Sequence, residues 1–191
     1  MRKIDLDELH SLARQASGIT KIYLHWSAGH YGQFFDDYHI NIDSDGSIYA
    51  STDDLTERLS HTYHRNSNAV GVSLACACGA TTNNLGDEPP TEAAIDAMAK
   101  VVAVLCDEFG LEITKDNVMT HGEAANNEDG FYAHEPYATW SDPAPSDGVT
   151  RWDLEFLGTN ESPAYDPFNT DGARGGDVLR GKAIWWQQQG V

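Results

Sequence analysis

The chain has 191 residues, enough for one domain with a full apolar core and too few for two comfortable ones. Its 40% hydrophobic and 10% aromatic content excludes a disordered or fibrous character. Thirty acidic against twelve basic side chains, a formal net charge of −18, disfavour nucleic acid and anionic membrane surfaces as partners, and a monomer is expected.

Residues 1–12 set Asp5, Asp7 and Glu8 among the leucines and never build the apolar core of a signal peptide. No run approaches the roughly 20 apolar residues of a membrane span. The three cysteines, Cys76, Cys78 and Cys106, cannot all pair within the chain. Synthesis in the reducing cytoplasm is therefore expected, with release by another factor if the protein acts outside its cell.

Leu6, Leu9, Leu12, Ala13 and Ala16 recur at helical spacing, with Asp5 or Asp7 at the start and Gly18 at the end, and predict an opening helix. Residues 20–26 alternate as a strand that ends near His25. Residues 38–43 and 47–51 flank an Asp45-Gly46 pair and predict a hairpin. Residues 69–77 are apolar on both faces apart from Ser73, as in a central strand. Thr91 can cap a helix whose Ile95, Met98, Val102, Leu105 and Phe109 repeat at three and four residues until Gly110.

Residues 117–120 read as a short strand delivering His121, followed by a long loop over 122–150. A last helix is predicted over 177–189. Strands interleaved with helices imply a single α/β domain over 1–191, with a central mixed β-sheet flanked by α-helices on both faces. Its catalytic core is expected over about residues 20–157, with a C-terminal segment 158–191 ending in a helix packed on that core.

His25 and His121 close predicted strands, and Asp153 lies beyond the long loop. Two imidazoles and a carboxylate leave one position of a tetrahedral zinc open to water. Spacing alone does not single these three out, because the chain carries eight histidines. His61 and His64 form another possible pair with no third ligand, which favours an exposed imidazole at His64. Cys76 and Cys78, alternating on a predicted strand, read as core in preference to metal ligands. Of Trp185 and Trp186, at least one is expected to anchor the last helix.

Residues 22–29, 38–49, 61–74, 118–124 and 151–154 resemble, in content and order, the N-acetylmuramoyl-L-alanine amidase family. These are zinc amidases that include amidase-type phage lysozymes and animal peptidoglycan recognition proteins. The resemblance implies Zn2+ held by His25, His121 and Asp153, and peptidoglycan as the substrate. The bond implied is the amide between N-acetylmuramic acid and L-alanine.

By the same resemblance Tyr38 lies beside the metal water. Arg151 stands where the family often has a lysine that holds the oxyanion, and keeps its charge in a rigid fork. Ser73 stands where one branch has a glutamate base, which places the chain nearer the phage lysozymes. Glu123 is a further candidate acid or base, with a solvated loop carboxylate as the plainer reading. His61, Asn66 and Asn68 match a cleft-lining stretch, as substrate contacts or as ordinary loop polarity. A phage or prophage lysin is the expected setting. The alternatives are a non-catalytic wall-recognition protein of the same fold and a zinc peptidase cutting within the stem peptide.

Overall fold

A computed structural model describes residues 1–81, 84–131, 152–164 and 173–191. Its sheet has six strands in the order β1 (Arg2–Ile4), β4 (Ile48–Ala50), β3 (Ile40–Ile42), β5 (Ala69–Leu74), β2 (Lys21–Trp26) and β6 (Val118–Thr120). Strands β3, β5, β2 and β6 run parallel, while β4 is antiparallel to both β3 and β1, so the sheet is mixed as the sequence predicts. The predicted central strand lies in mid-sheet, between β3 and β2.

Four helices accompany it: α1 (Leu6–Gln15), α2 (Glu92–Phe109), α3 (His121–Ala125) and α4 (Gly175–Gln189). Asp5 caps α1 in a reciprocal box with Glu8. Thr91 caps α2 by accepting from the Ala94 N–H, and Gly110 ends it in a left-handed conformation. At the hairpin between β3 and β4, Gly46 has φ +83°, a backbone that a side chain would strain.

Period-two alternation divides the sheet into two unlike faces. Ile22, Leu24 and Trp26 of β2, Val70, Val72 and Leu74 of β5, and Ile40 and Ile42 of β3 share one apolar core with Leu9, Leu12, the buried side of α2, Leu179 and Ala183. Each such side chain fully buried contributes roughly 1.5–3 kcal/mol. The opposite face carries Tyr23, His25, Asn41, Ala69, Gly71 and Ser73, and a smaller cluster joins Tyr23, Ala69 and Met119 to Ala124 of α3. The three long helices thus share one face, and the five-residue α3 attends the other. No described helix is long and apolar enough to cross a membrane.

The structure departs from the sequence reading in three places. The chain opens with the edge strand β1, unseen because three residues carry no legible period. The segment after β6 is helical from His121 to Ala125, where a loop was expected; residues 132–151 lie outside those described. Cys76 and Cys78 do not share a strand face: β5 ends at Leu74, and Ala77 adopts φ +69°, which breaks the alternation.

Candidate metal centre and its surroundings

His25 sits near the end of β2 on the polar face, paired in register with Ser73 of β5. Thr120 closes β6 and caps α3 by accepting from the Glu123 N–H, so His121 begins the helix at the mouth of the sheet. Asp153 follows Trp152, whose ring meets Trp26 edge-on at 5.1 Å and ties this segment to β2. Next in the chain, Leu154 is buried in the core.

These elements bring His25, His121 and Asp153 together. His25 Nδ1 lies 3.1 Å from His121 Nδ1, Asp153 Oδ2 lies 3.4 Å from His25 Nδ1, and Asp153 Oδ1 lies 3.3 Å from His121 Nδ1. A tetrahedral ion with bonds of ~2.0–2.2 Å has ligand-to-ligand edges of about 3.3–3.6 Å, so the two ring nitrogens and the Asp153 carboxylate are spaced close to what one face of such a tetrahedron needs. The donor set fits zinc. Asp153 Oδ1 is buried without a hydrogen-bond partner among the described residues, as expected of an oxygen kept for a cation.

The electrostatics agree with a cation site. Burial lowers the His25 pKa to about 4 and so keeps the ring neutral and able to donate a lone pair. Burial works to raise the Asp153 pKa, but His121 and His25 outweigh it and hold the carboxyl well below its usual range.

Around this centre the buried polar groups form a chain. His25 Nε2 lies 3.3 Å from Thr62 Oγ1, which lies 2.9 Å from His61 Nδ1. If His25 Nδ1 faces the ion, its Nε2–H donates to Thr62, whose hydroxyl donates to His61 Nδ1, and both tautomers are set. Burial, reinforced by His25, His39 and His121, pushes the His61 pKa down to about 2. The His61 ring rests on Gly71, where an added Cβ would approach its Cγ to 2.6 Å, so only glycine admits it. Tyr38 packs on His25 with ring centroids 5.0 Å apart, and burial, aided by Asp153, raises its phenol pKa.

His61, Thr62, Asn66 and His121 line an open cleft with Arg58, Ser60, Tyr63 and His64. Asn66 shapes its wall by accepting from the Thr62 N–H at 2.7 Å. Asn68 does not belong to it. Its carbonyl accepts from the Thr20 N–H, five residues before His25, which places it about 16 Å down the strand at roughly 3.3 Å per residue. Arg151 lies outside the described residues.

Glu123 also takes a different place from that of a free acid or base. It is 1% exposed, accepts from the Thr120 N–H at 2.9 Å, and forms a two-armed ion pair with Arg180 of α4 at 2.7 and 2.8 Å. Its carboxylate is committed to holding α3 against α4. Beside it Arg174 bridges Glu128 and Glu155, which ties the segment after Asp153 to the same junction. Sequence reading missed Thr62, Arg174 and Arg180 altogether. The Thr120-x-x-Glu123 spacing was the one available signal, because it is that of a capping box.

Residues 9–141 match the profile of the Amidase_2 family, described as N-acetylmuramoyl-L-alanine amidase. The match includes His25 and His121 and ends before Asp153. No curated protein matches the chain. Among solved structures, the endolysin amidase LysCS from Clostridium intestinale URNW is 16% identical, with 56% of this chain and 71% of that one covered at a TM-score of 0.42. Drosophila peptidoglycan recognition protein SA is 17% identical, with 55% and 68% covered at a TM-score of 0.40. Because the family profile spans well over half of its length, the chain belongs to the N-acetylmuramoyl-L-alanine amidase family.

Proposed function

We propose that the chain is a zinc-dependent hydrolase of the amide between N-acetylmuramic acid and L-alanine in peptidoglycan, acting as a phage or prophage lysin. The observation that carries this reading is the convergence of His25 Nδ1, His121 Nδ1 and the two oxygens of the Asp153 carboxylate, with contacts of 3.1–3.4 Å, at the edge of an open cleft. Zinc in that position supplies a Lewis acid and lowers the pKa of the water it binds to about 7.

The protein's own groups do the rest. Thr62 and His61 orient His25, and the Glu123–Arg180 pair fixes the helix that presents His121. Tyr38 keeps its phenolic proton at neutral pH and can donate a hydrogen bond to an oxygen beside His25. Arg151, two residues before Asp153, is assigned by its charge to the oxyanion of the attacked amide. The cleft residues His61 and Asn66 are assigned to the muropeptide.

Mass spectrometry of digested muropeptides tests the reading. Glycan strands freed of L-alanine are expected from the wild type and not from His25→Ala. Shortened stem peptides would assign a peptidase, and intact muropeptides from a zinc-loaded sample would assign a recognition protein.

A further inference from the structure

The loops that follow β2 and β5 bring together a second set of metal-type donors that shares no residue with the first: His30, Cys78 and Glu88. His30 Nε2 lies 3.6 Å from Cys78 Sγ, and His30 Nδ1 lies 2.6 Å from Glu88 Oε2. With zinc bonds of ~2.3 Å to sulfur and ~2.0–2.1 Å to nitrogen, a tetrahedral S···N edge is about 3.6 Å. The sulfur and the nitrogen are therefore spaced to share an ion.

The backbone prepares this geometry. Gly29 bridges to Ala77, and the Ala77 N–H donates to the Glu88 carbonyl at 2.7 Å, so the two loops are pinned to each other and the second is folded back on itself. The positive φ of Ala77 turns Cys78 out of the strand alternation and toward His30. The His30 backbone N–H donates to Gln33 Oε1 at 3.0 Å, and Glu88 Oε1 accepts from the Tyr31 N–H at 3.0 Å, which hold the His30 main chain and the Glu88 carboxylate in place. The His30 side chain is 67% exposed, so an ion can reach the site from solvent.

We propose that Cys78 Sγ and His30 Nε2 are the direct ligands of a thiophilic divalent cation, zinc or cobalt, with Glu88 holding the proton on His30 Nδ1. A soft thiolate and an imidazole select such ions over magnesium or calcium. A carboxylate on the far nitrogen of a ligating histidine orients the ring and raises its basicity. On binding, the Cys78 thiol gives its proton to solvent and the remaining coordination positions stay with water. The ion joins the loops leaving two neighbouring parallel strands, one of which also carries His25.

Cobalt(II) titration of the zinc-free full chain tests this, because sulfur-to-cobalt charge transfer in the near ultraviolet requires a cysteine ligand and the His25, His121 and Asp153 centre has none. The wild type is expected to develop that absorption. Cys78→Ser loses it, whereas Cys76→Ser and His25→Ala keep it. Glu88→Gln moves the midpoint to roughly ten- to a hundredfold higher cobalt. Wild-type protein without the band, or a band that survives Cys78→Ser, would overturn the proposal.

Discussion

Along β2, successive side chains enter two different media. Ile22, Leu24 and Trp26 join the apolar cluster that the long helices cover, while Tyr23 and His25 meet aromatic and polar groups from β5, α3 and residues 55–66. The apolar side is held by many small, non-directional contacts that can relax around a change. The polar side is held by a few directional ones, in which removing one partner strands another in a dry environment. The two faces should therefore fail differently.

The junction behind His121 offers the largest loss of stability. Arg180→Ala leaves Glu123 buried without its cation, and about 3–5 kcal/mol of unfolding free energy should be lost, together with weaker zinc retention because α3 presents His121. Chemical denaturation and metal analysis on the same preparation check both. Destabilisation with undiminished zinc binding would separate the junction from the site.

On the apolar side, Leu24→Ala deletes a side chain with no exposed surface and should cost about 2–5 kcal/mol. Its zinc content should stay at the wild-type level, although His25 is the next residue. Loss of metal in that variant would mean that the two faces are not independent.

Acid gives a graded effect. His25 is held neutral by burial, down to about 4 from an ordinary 6.5, and His61 lower still. Between those values the unfolded chain binds protons that the folded chain refuses, so stability rises with pH across that window and falls on acidification from about 6.5 toward 4. Denaturation of zinc-free protein at pH 7, 5.5 and 4 should show a steady decline. A flat profile would mean that water reaches these rings.

The same contrast explains what could be read from the sequence. The helical face writes itself as period: Ile95, Met98, Val102 and Leu105 between Thr91 and Gly110 marked α2 almost to the residue. The Asp45-Gly46 pair marked the hairpin. The polar face depends on residues far apart in the chain. Asp153 meets His25 across 128 positions, and no spacing rule selects it; resemblance to a family did.

Glu123 looked like a free loop carboxylate because its partner, Arg180, lies 57 residues on. Asn68 shares a stretch with Asn66 but turns through φ +55° to the other end of the strand. The Cys76 and Cys78 pattern assumed that β5 continued, and a left-handed Ala77 ended that assumption.

Zinc content tests the central claim most directly. In a Cys78→Ser background, which removes the second candidate site, protein purified from zinc-replete growth should retain one equivalent of zinc. Adding Asp153→Ala should abolish that retention while circular dichroism shows the fold unchanged. Zinc retained at full stoichiometry without Asp153, or no zinc in the folded parent, would contradict the assignment of His25, His121 and Asp153 as the metal centre.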